Sequence, residues 1–320
     1  MLSFIGRRLL NYTVMLFAAT TLAYFLASSF LNPRTNYLQM RPRPPEASID
    51  VSLNLANVND KVPVVERYLV WLKKVALHWD WGLSPQGESV NAAIAYRAVV
   101  SAKLVLIATL LAVVIGVSLG VASAIRQYRL FDRVSGAVSA FFLVCPTFVL
   151  GLVIVLAGIR FNDAVGVRWF YVTGLGDGGF LDYLQHVALP TLTLTLVGYV
   201  GYHLTQRTYL LDTMNADYVR TARAKGVPKH LAIRRHALRT SLIPTAMGVV
   251  WSLTSVITGA VFTETIFAID GAGKYFIDAL TKNDINGSVA IAAMGGFTTC
   301  AGLLLADIVV SMLDPRIRIS

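Results

Sequence analysis

Apolar residues gather in six runs, near Leu10–Leu31, Ala102–Ile125, Val134–Ile159, His186–Gln206, Leu242–Phe267 and Ser288–Leu313. Each holds roughly 20 residues or more, the helix length that crosses a hydrocarbon core of about 30 Å. The pattern predicts an all-α polytopic membrane protein with six transmembrane helices. Arg7 and Arg8 ahead of the first run, and Ala27-Ser28-Ser29 near its end, give it the outline of a secretory signal. The run exceeds the usual signal core and five more follow it, so it reads as an uncleaved first span. The chain then divides into residues 1–31 (N-terminus and first span), a small extracytoplasmic loop domain at 32–101, a membrane core at 102–313 and a tail at 314–320.

Two interruptions of this pattern carry information. The loop at 32–101 opens with Pro33, Pro42, Pro44 and Pro45, which resist helix and fit an extended arm. From Pro63 to Trp79, Val65, Leu69, Leu72 and Leu77 recur at helical spacing beside Trp71 and Trp79. Such a helix either lies on the membrane surface, where aromatic and Lys side chains suit the headgroup layer, or caps the transmembrane bundle.

The second interruption is a hairpin at 215–241. Asn215 or Asp217 is placed to cap a first helix, Asp217–Lys225. Gly226 suits the left-handed position that ends it, and Pro228 suits the first turn of a second helix running through His230–Arg239. Thr221 and Ala222 are small and central on the first helix, with Arg220, Arg223 and Lys225 around them. Another protein can pack closely there, so the hairpin reads as a docking device. Within the spans, Gly116 and Gly120 form a GxxxG pair that reads as ordinary intramolecular packing. Pro146, Pro190 and Pro244 lie within or at the start of spans, where each removes a backbone donor and bends a helix.

Composition agrees with the pattern. The chain is 55% hydrophobic and 14% charged, with a mean hydropathy of +0.61, against about 25% charged residues in a soluble globule. The net charge of +10 is distributed by topology. With the N-terminus inside, the cytoplasmic segments collect fifteen Lys and Arg residues, eight of them between Arg207 and Arg239, and the two short outer loops hold four. That bias sets the orientation, with both termini and the hairpin cytoplasmic. A basic helix–turn–helix tethered at both ends by membrane spans cannot readily enter a DNA groove, so no nucleic-acid partner is expected. Cys145 and Cys300 fall inside spans and read as small buried thiols.

Candidate chemistry is sparse. Ile269-Asp-Gly-Ala-Gly-Lys274 has the glycines and lysine of a phosphate loop, but its spacing is wrong and Tyr275 stands where Ser or Thr is needed. The chain therefore carries no ATPase site, and its energy source must be another polypeptide. His203, Glu264 and Asp307 are ionisable residues at membrane depth, candidates for a substrate path by default. No cluster has metal-ligand spacing, and no Ser/His/Asp set marks a membrane hydrolase.

One resemblance draws these features together. Asp217-Tyr-Val-Arg-Thr-Ala-Arg-Ala-Lys-Gly226, Arg235-His-Ala-Leu-Arg239 and Pro244 resemble the coupling region of inner-membrane permeases of binding-protein-dependent ABC transporters. The general family pattern is Glu-Ala-Ala, three residues, then Gly. Ala222 and Gly226 keep their places, while Arg220 and Thr221 depart from it in the manner of the dipeptide and oligopeptide branch. Trp81-Gly-Leu-Ser84, Phe262-Thr-Glu-Thr-Ile-Phe267 with Gly271-Ala-Gly273, and Leu313-Asp-Pro-Arg-Ile-Arg318 are similar to further stretches of that branch.

The resemblance implies a type I ABC importer permease in a bacterial inner membrane, forming half of a pore for peptides with a second homologous permease. It implies that the hairpin docks into two ATP-binding subunits, one per permease, which hold ATP and Mg, and that an extracytoplasmic peptide-binding protein delivers the solute. Asp217, Arg220, Thr221, Ala222, Arg223, Lys225, Gly226, Arg235 and His236 are the coupling residues so implied. The same architecture importing a nickel chelate or glutathione remains open at this point, as does a membrane scaffold that senses rather than translocates.

Overall fold

A computed structural model describes residues 2–254 and 260–313. Among them the chain is nearly all helix. Its elements are α1 (Leu2–Phe30), α2 (Arg34–Leu38), α3 (Glu46–Leu55), α4 (Val64–His78), α5 (Val90–Ile125), α6 (Leu130–Val144), α7 (Thr147–Val165), α8 (Phe180–Met214), α9 (Asp217–Ala224), α10 (Lys229–Ala232), a π-helical turn (Ile233–Ala237), α11 (Leu238–Thr254), α12 (Val261–Ile266), α13 (Ala272–Thr281) and α14 (Ile285–Leu313). Among the described residues, five helices are long and apolar enough to cross a membrane, and the protein is a multi-pass membrane protein. The expected fifth span, Leu242–Phe267, runs through residues 255–259, which lie outside the described residues, as does the tail at 314–320. The expected third span is two helices, because Pro146 cannot donate within a helix and stands at the N-cap of α7, two residues past the end of α6.

The chain divides into two compact units. The first contains α1 to α4. Of the four prolines expected in an extended arm, Pro42 and Pro44 lie in the short non-helical stretch between α2 and α3, whereas Pro33 and Pro45, like Pro63 further on, stand at the N-caps of α2, α3 and α4, where a missing N–H costs nothing. Helix α4 buries Tyr68 and Trp71 against Tyr24 of α1, with Ile49 and Leu53 of α3 and Ile285 and Val289 of α14 in the same cluster. The hydroxyls of Thr21 and Tyr68 are bonded at 2.8 Å. The stripe is rotated from the expected one. Val65, Leu69, Leu77 and Trp79 are exposed, while Val64, Leu72 and Val75 pack inward, because the large rings of Tyr68 and Trp71 decide which face closes. Arg34, buried, ties this unit together. Its Nε donates to Asp60 (2.8 Å), its Nη1 to Glu46 (3.1 Å) and its Nη2 to Asp50 (2.6 Å) and Asn59 (3.0 Å).

The second unit holds the crossing of α5 and α8. Gly116 and Gly120 face α8 so closely that a Cβ on either would stand 2.5 Å from the Tyr199 carbonyl or 2.7 Å from that of His203. The GxxxG pair is therefore an internal crossing, as its spacing predicted. Helix α8 continues through Pro190 to Met214 without a break. Cys145 and Cys300 are both free thiols.

Candidate coupling hairpin and buried polar groups

Two residues, Asn215 and Ala216, separate the end of α8 from the first helix of the hairpin, α9. Neither expected cap operates: Ala216 occupies the N-cap of α9 with no side-chain bond. Asn215 sits at the C-terminal end of α8, its Nδ2 donating to the Leu211 carbonyl at 3.1 Å. The long reach of α8 removes Asn215 from the role. Asp217 instead lies in the first turn of α9, where a carboxylate suits the positive end of the helix dipole. At the other end the helix stops as predicted. Gly226 has φ +89°, its N–H donates to the Arg223 carbonyl (3.0 Å) and the Val227 N–H to that of Ala222 (3.2 Å), the paired bonds of a Schellman motif. Nothing lies within 4 Å of a Cβ placed on Gly226, so the requirement for glycine here is conformational.

One face of α9 holds the hairpin down. Val219 is buried with Ala232, Ile233 and Ala237 of the second arm, Leu210 of α8 and Ala124 of α5, and Ala222 is half-buried. The remaining predicted residues, Asp217, Arg220, Thr221, Arg223, Lys225 and Gly226, are exposed together on α9 and its stop. Arg235 and His236 are exposed on the second arm beside Arg234.

That arm differs from its expectation. No break separates it from the next span: α10, the π-helical turn and α11 follow without a gap from Lys229 to Thr254, and Pro244 lies inside α11 rather than opening it. The turn is closed by the Leu238 N–H to the Ile233 carbonyl. Ile233 and Ala237, four residues apart and so on one helix face, lie in the buried cluster, while the three basic residues between them are exposed. Single π turns of this kind recur at functional positions.

Beneath the hairpin, α8 presents a polar face at helical spacing: Thr195, Tyr199, His203 and Gln206, all buried. Two serines flank the His203 ring, Ser139 of α6 at Nδ1 (2.6 Å) and Ser123 of α5 at Nε2 (3.0 Å). Ser139 donates onward to the Tyr199 hydroxyl at 3.3 Å. His203, buried, therefore joins three helices, α5, α6 and α8. Gln206 donates to Ser241 (2.9 Å) and accepts from Thr245 (2.6 Å), both on α11. Arg207 grips Asp132 of α6 with two bonds, 2.6 and 2.8 Å. Its guanidinium holds the Asp132 carboxyl below the usual carboxylate range, despite the opposing effect of burial. Gln206, Arg207 and Asp132 were not singled out in the sequence, although the four- and three-residue spacing from Thr195 to Gln206 carries the signal.

Glu264, in the first unit, is fully buried. Its carboxylate accepts from Ser101 Oγ at 2.5 Å and from the Lys274 N–H at 2.9 Å, and Ser101 Oγ accepts from the Ala272 N–H at 2.8 Å. Together Glu264 and Ser101 cap the N-terminus of α13, whose own N-cap residue, Gly271, has no side chain to offer. The segment that looked faintly like a phosphate loop is this capped start. Next to it Arg97 pairs with Asp270 (3.0 Å) and lies over the Tyr275 ring, 4.5 Å from its centre. Asp307 is half-buried on α14. Among the described residues no group of His, Cys, Asp or Glu side chains has the makings of a metal site.

Comparison with known proteins adds an independent line. Residues 103–319 match the family described as binding-protein-dependent transport system inner membrane component. Over its full length the chain is 37% identical to the oligopeptide transport system permease protein OppB of Mycobacterium bovis, covering all of that protein. It is 30% identical to the proteins of the same name from Salmonella typhimurium and Escherichia coli, with 99% of this chain and 100% of theirs aligned.

Proposed function

The chain belongs to the family of binding-protein-dependent transport system inner membrane components, and from that premise we propose that it forms half of the pore of an ATP-driven importer of oligopeptides. The full-length likeness to permeases named for oligopeptide transport supports the solute. The alternatives of a nickel chelate, glutathione or a sensing scaffold have no comparable support. The other half of the pore is a second, homologous permease. A soluble binding protein on the outer side hands over the peptide, and the membrane is a bacterial inner membrane with both termini and the hairpin in the cytoplasm.

The observation that carries the mechanism is the hairpin's construction. Its exposed face is cationic and firmly stopped at Gly226, and its second arm runs without a gap into α11. A separate ATP-binding subunit, holding ATP and Mg, takes α9 in a cleft. Arg220, Arg223 and Lys225 meet acidic or carbonyl acceptors there, and Thr221 permits close approach. Displacement of α9 reaches α11 through the shared cluster of Val219, Ile233 and Ala237, and Gln206 passes it to α8. Nucleotide drives transport only if it binds one arrangement of the pore more tightly than the other, and the hairpin links the two events. This chain binds no nucleotide and hydrolyses nothing.

The test is uptake of a labelled oligopeptide into proteoliposomes containing the assembled complex. The double variant Arg223→Glu/Lys225→Glu is expected to lose at least tenfold in ATP-dependent uptake and to release the ATP-binding subunits on purification, while still inserting in the membrane. Full uptake by that variant sinks the docking role. Uptake of glutathione or a nickel chelate but of no peptide sinks the solute. Labelling of Arg223→Cys from the outer side reverses the topology.

A further inference from the structure

A groove of about 400 Å³ runs between α5 and α11, lined mainly by Val117, Val121 and Ile125, with Ser118 and Ala122, on one side and Leu238 and Leu242 on the other, with Arg126 at its end. The apolar walls are not closed by the chain itself: Ile125 is 54% exposed, and Val117, Val121, Leu238 and Leu242 are half-buried. Ser241 and Thr245 turn inward to Gln206, which leaves Leu238 and Leu242 on the groove side of α11.

Two features of this groove say what covers it. The first is length. From Val117 to Ile125 the helix rises about 12 Å, close to the depth of one leaflet of a hydrocarbon core about 30 Å thick. The second is charge. Arg34, Arg97 and Arg207 each have a carboxylate partner, whereas Arg126 is exposed and has none among the described residues. Its guanidinium lies over the Phe131 ring, 5.1 Å from the centre. Stacking on a ring face leaves the edge N–H groups free to bind a planar or tetrahedral oxyanion. An apolar slot one leaflet deep, with an unneutralised guanidinium at its mouth, matches an amphiphile with one acyl chain in the slot and an anionic phosphate at the headgroup level.

We infer that this groove seats an anionic phospholipid, its acyl chain along Val117–Ile125 and its phosphate on Arg126. The site needs only the membrane location of the chain and does not depend on the identity of the transported solute. A bound lipid there fills the space beside the two half-buried leucines of α11, so it steadies the helix that the hairpin moves.

The experiment uses the full chain in its assembled complex, reconstituted with phosphatidylglycerol carrying a photoactivatable diazirine in one acyl chain, followed by peptide mapping of the adduct. Adducts are expected on residues 117–125 and 238–242, competed by unlabelled phosphatidylglycerol and not by phosphatidylcholine. Arg126→Gln is expected to lower labelling about fivefold, the scale of one basic side chain at an anionic surface, and Arg126→Lys to retain most of it. Val121→Trp, which fills the slot and leaves the arginine intact, is expected to abolish it. Equal labelling by a phosphatidylcholine probe, labelling unchanged in both the Gln and Trp variants, or a disulfide from Val121→Cys to the other permease of the complex each overturns the assignment.

Discussion

Asp132–Arg207 and Asp217–Arg220 join the same two kinds of side chain and have opposite meanings. The first pair makes two short bonds, with side chains 5% and 27% exposed; the second makes one contact at 3.7 Å, with side chains 99% and 70% exposed. Removing Asp132 leaves the Arg207 guanidinium, nearly three-quarters shielded from water, without its counter-ion, so the interaction is worth most when it is broken. The exposed pair already shares its charges with water and is worth little. Charge at the base of α8 therefore fastens helices, and charge on α9 stays available to something outside the chain.

The contrast can be broken at several points. Asp132→Ala is expected to cost about 4 kcal/mol in thermal unfolding of the purified protein, since Arg207 and the Tyr128 N–H both lose their acceptor. A loss no greater than that of Asp217→Ala would dissolve the distinction.

Next comes a buried carboxyl whose desolvation outweighs the pull of nearby Lys282. Asp284 takes the Gly287 N–H at the start of α14 (2.9 Å), and burial pushes its pKa up to about 6. A raised carboxyl pKa contributes stability that is whole below about pH 4 and is lost as pH rises through about 6. Asp284→Asn, which caps the helix without ionising, is expected to gain on the native protein between pH 5 and 8, by roughly 3 kcal/mol at the upper end. A difference between the two that does not vary with pH would contradict the burial argument.

Glu264→Leu strands the Ser101 hydroxyl and the Lys274 N–H. It is expected to cost about 2 kcal/mol while leaving the affinity for ATP-binding subunits unchanged. A selective loss of peptide uptake at full stability would instead put Glu264 on the substrate path. The smallest effect belongs to Arg220→Ala, expected to alter unfolding by less than about 0.5 kcal/mol yet to weaken retention of the ATP-binding subunits measurably. Unchanged retention would mean that the exposed charge of α9 is idle.

Much of the hairpin was legible because its signals are local. The left-handed φ at Gly226, the turn through Pro228 and the basic face all follow from residues within one or two helical turns of each other. The expected cap at Asn215 fails for a reason that is not local: α8 reaches Met214 and takes Asn215 as its own end. The membrane-depth candidates show the same divide. Glu264 and His203 were visible as ionisable residues in apolar runs, but their partners, Ser101 and Ser139, lie 163 and 64 residues away in the chain. No pattern within either run names them.

What the chain determined alone was the alternation of apolar runs, the charge bias across them and the punctuation of the hairpin, because hydrophobic transfer, charge placement and backbone preference act residue by residue. Tertiary structure decided which polar groups are enclosed. Packing selected Tyr68 and Trp71 over Val65 and Leu69 on α4, carried the second hairpin arm into α11 through a π turn, and closed Glu264 onto α13. Each of these depends on what arrives from a distant part of the chain, since desolvation is a property of the assembled surroundings and of no residue by itself.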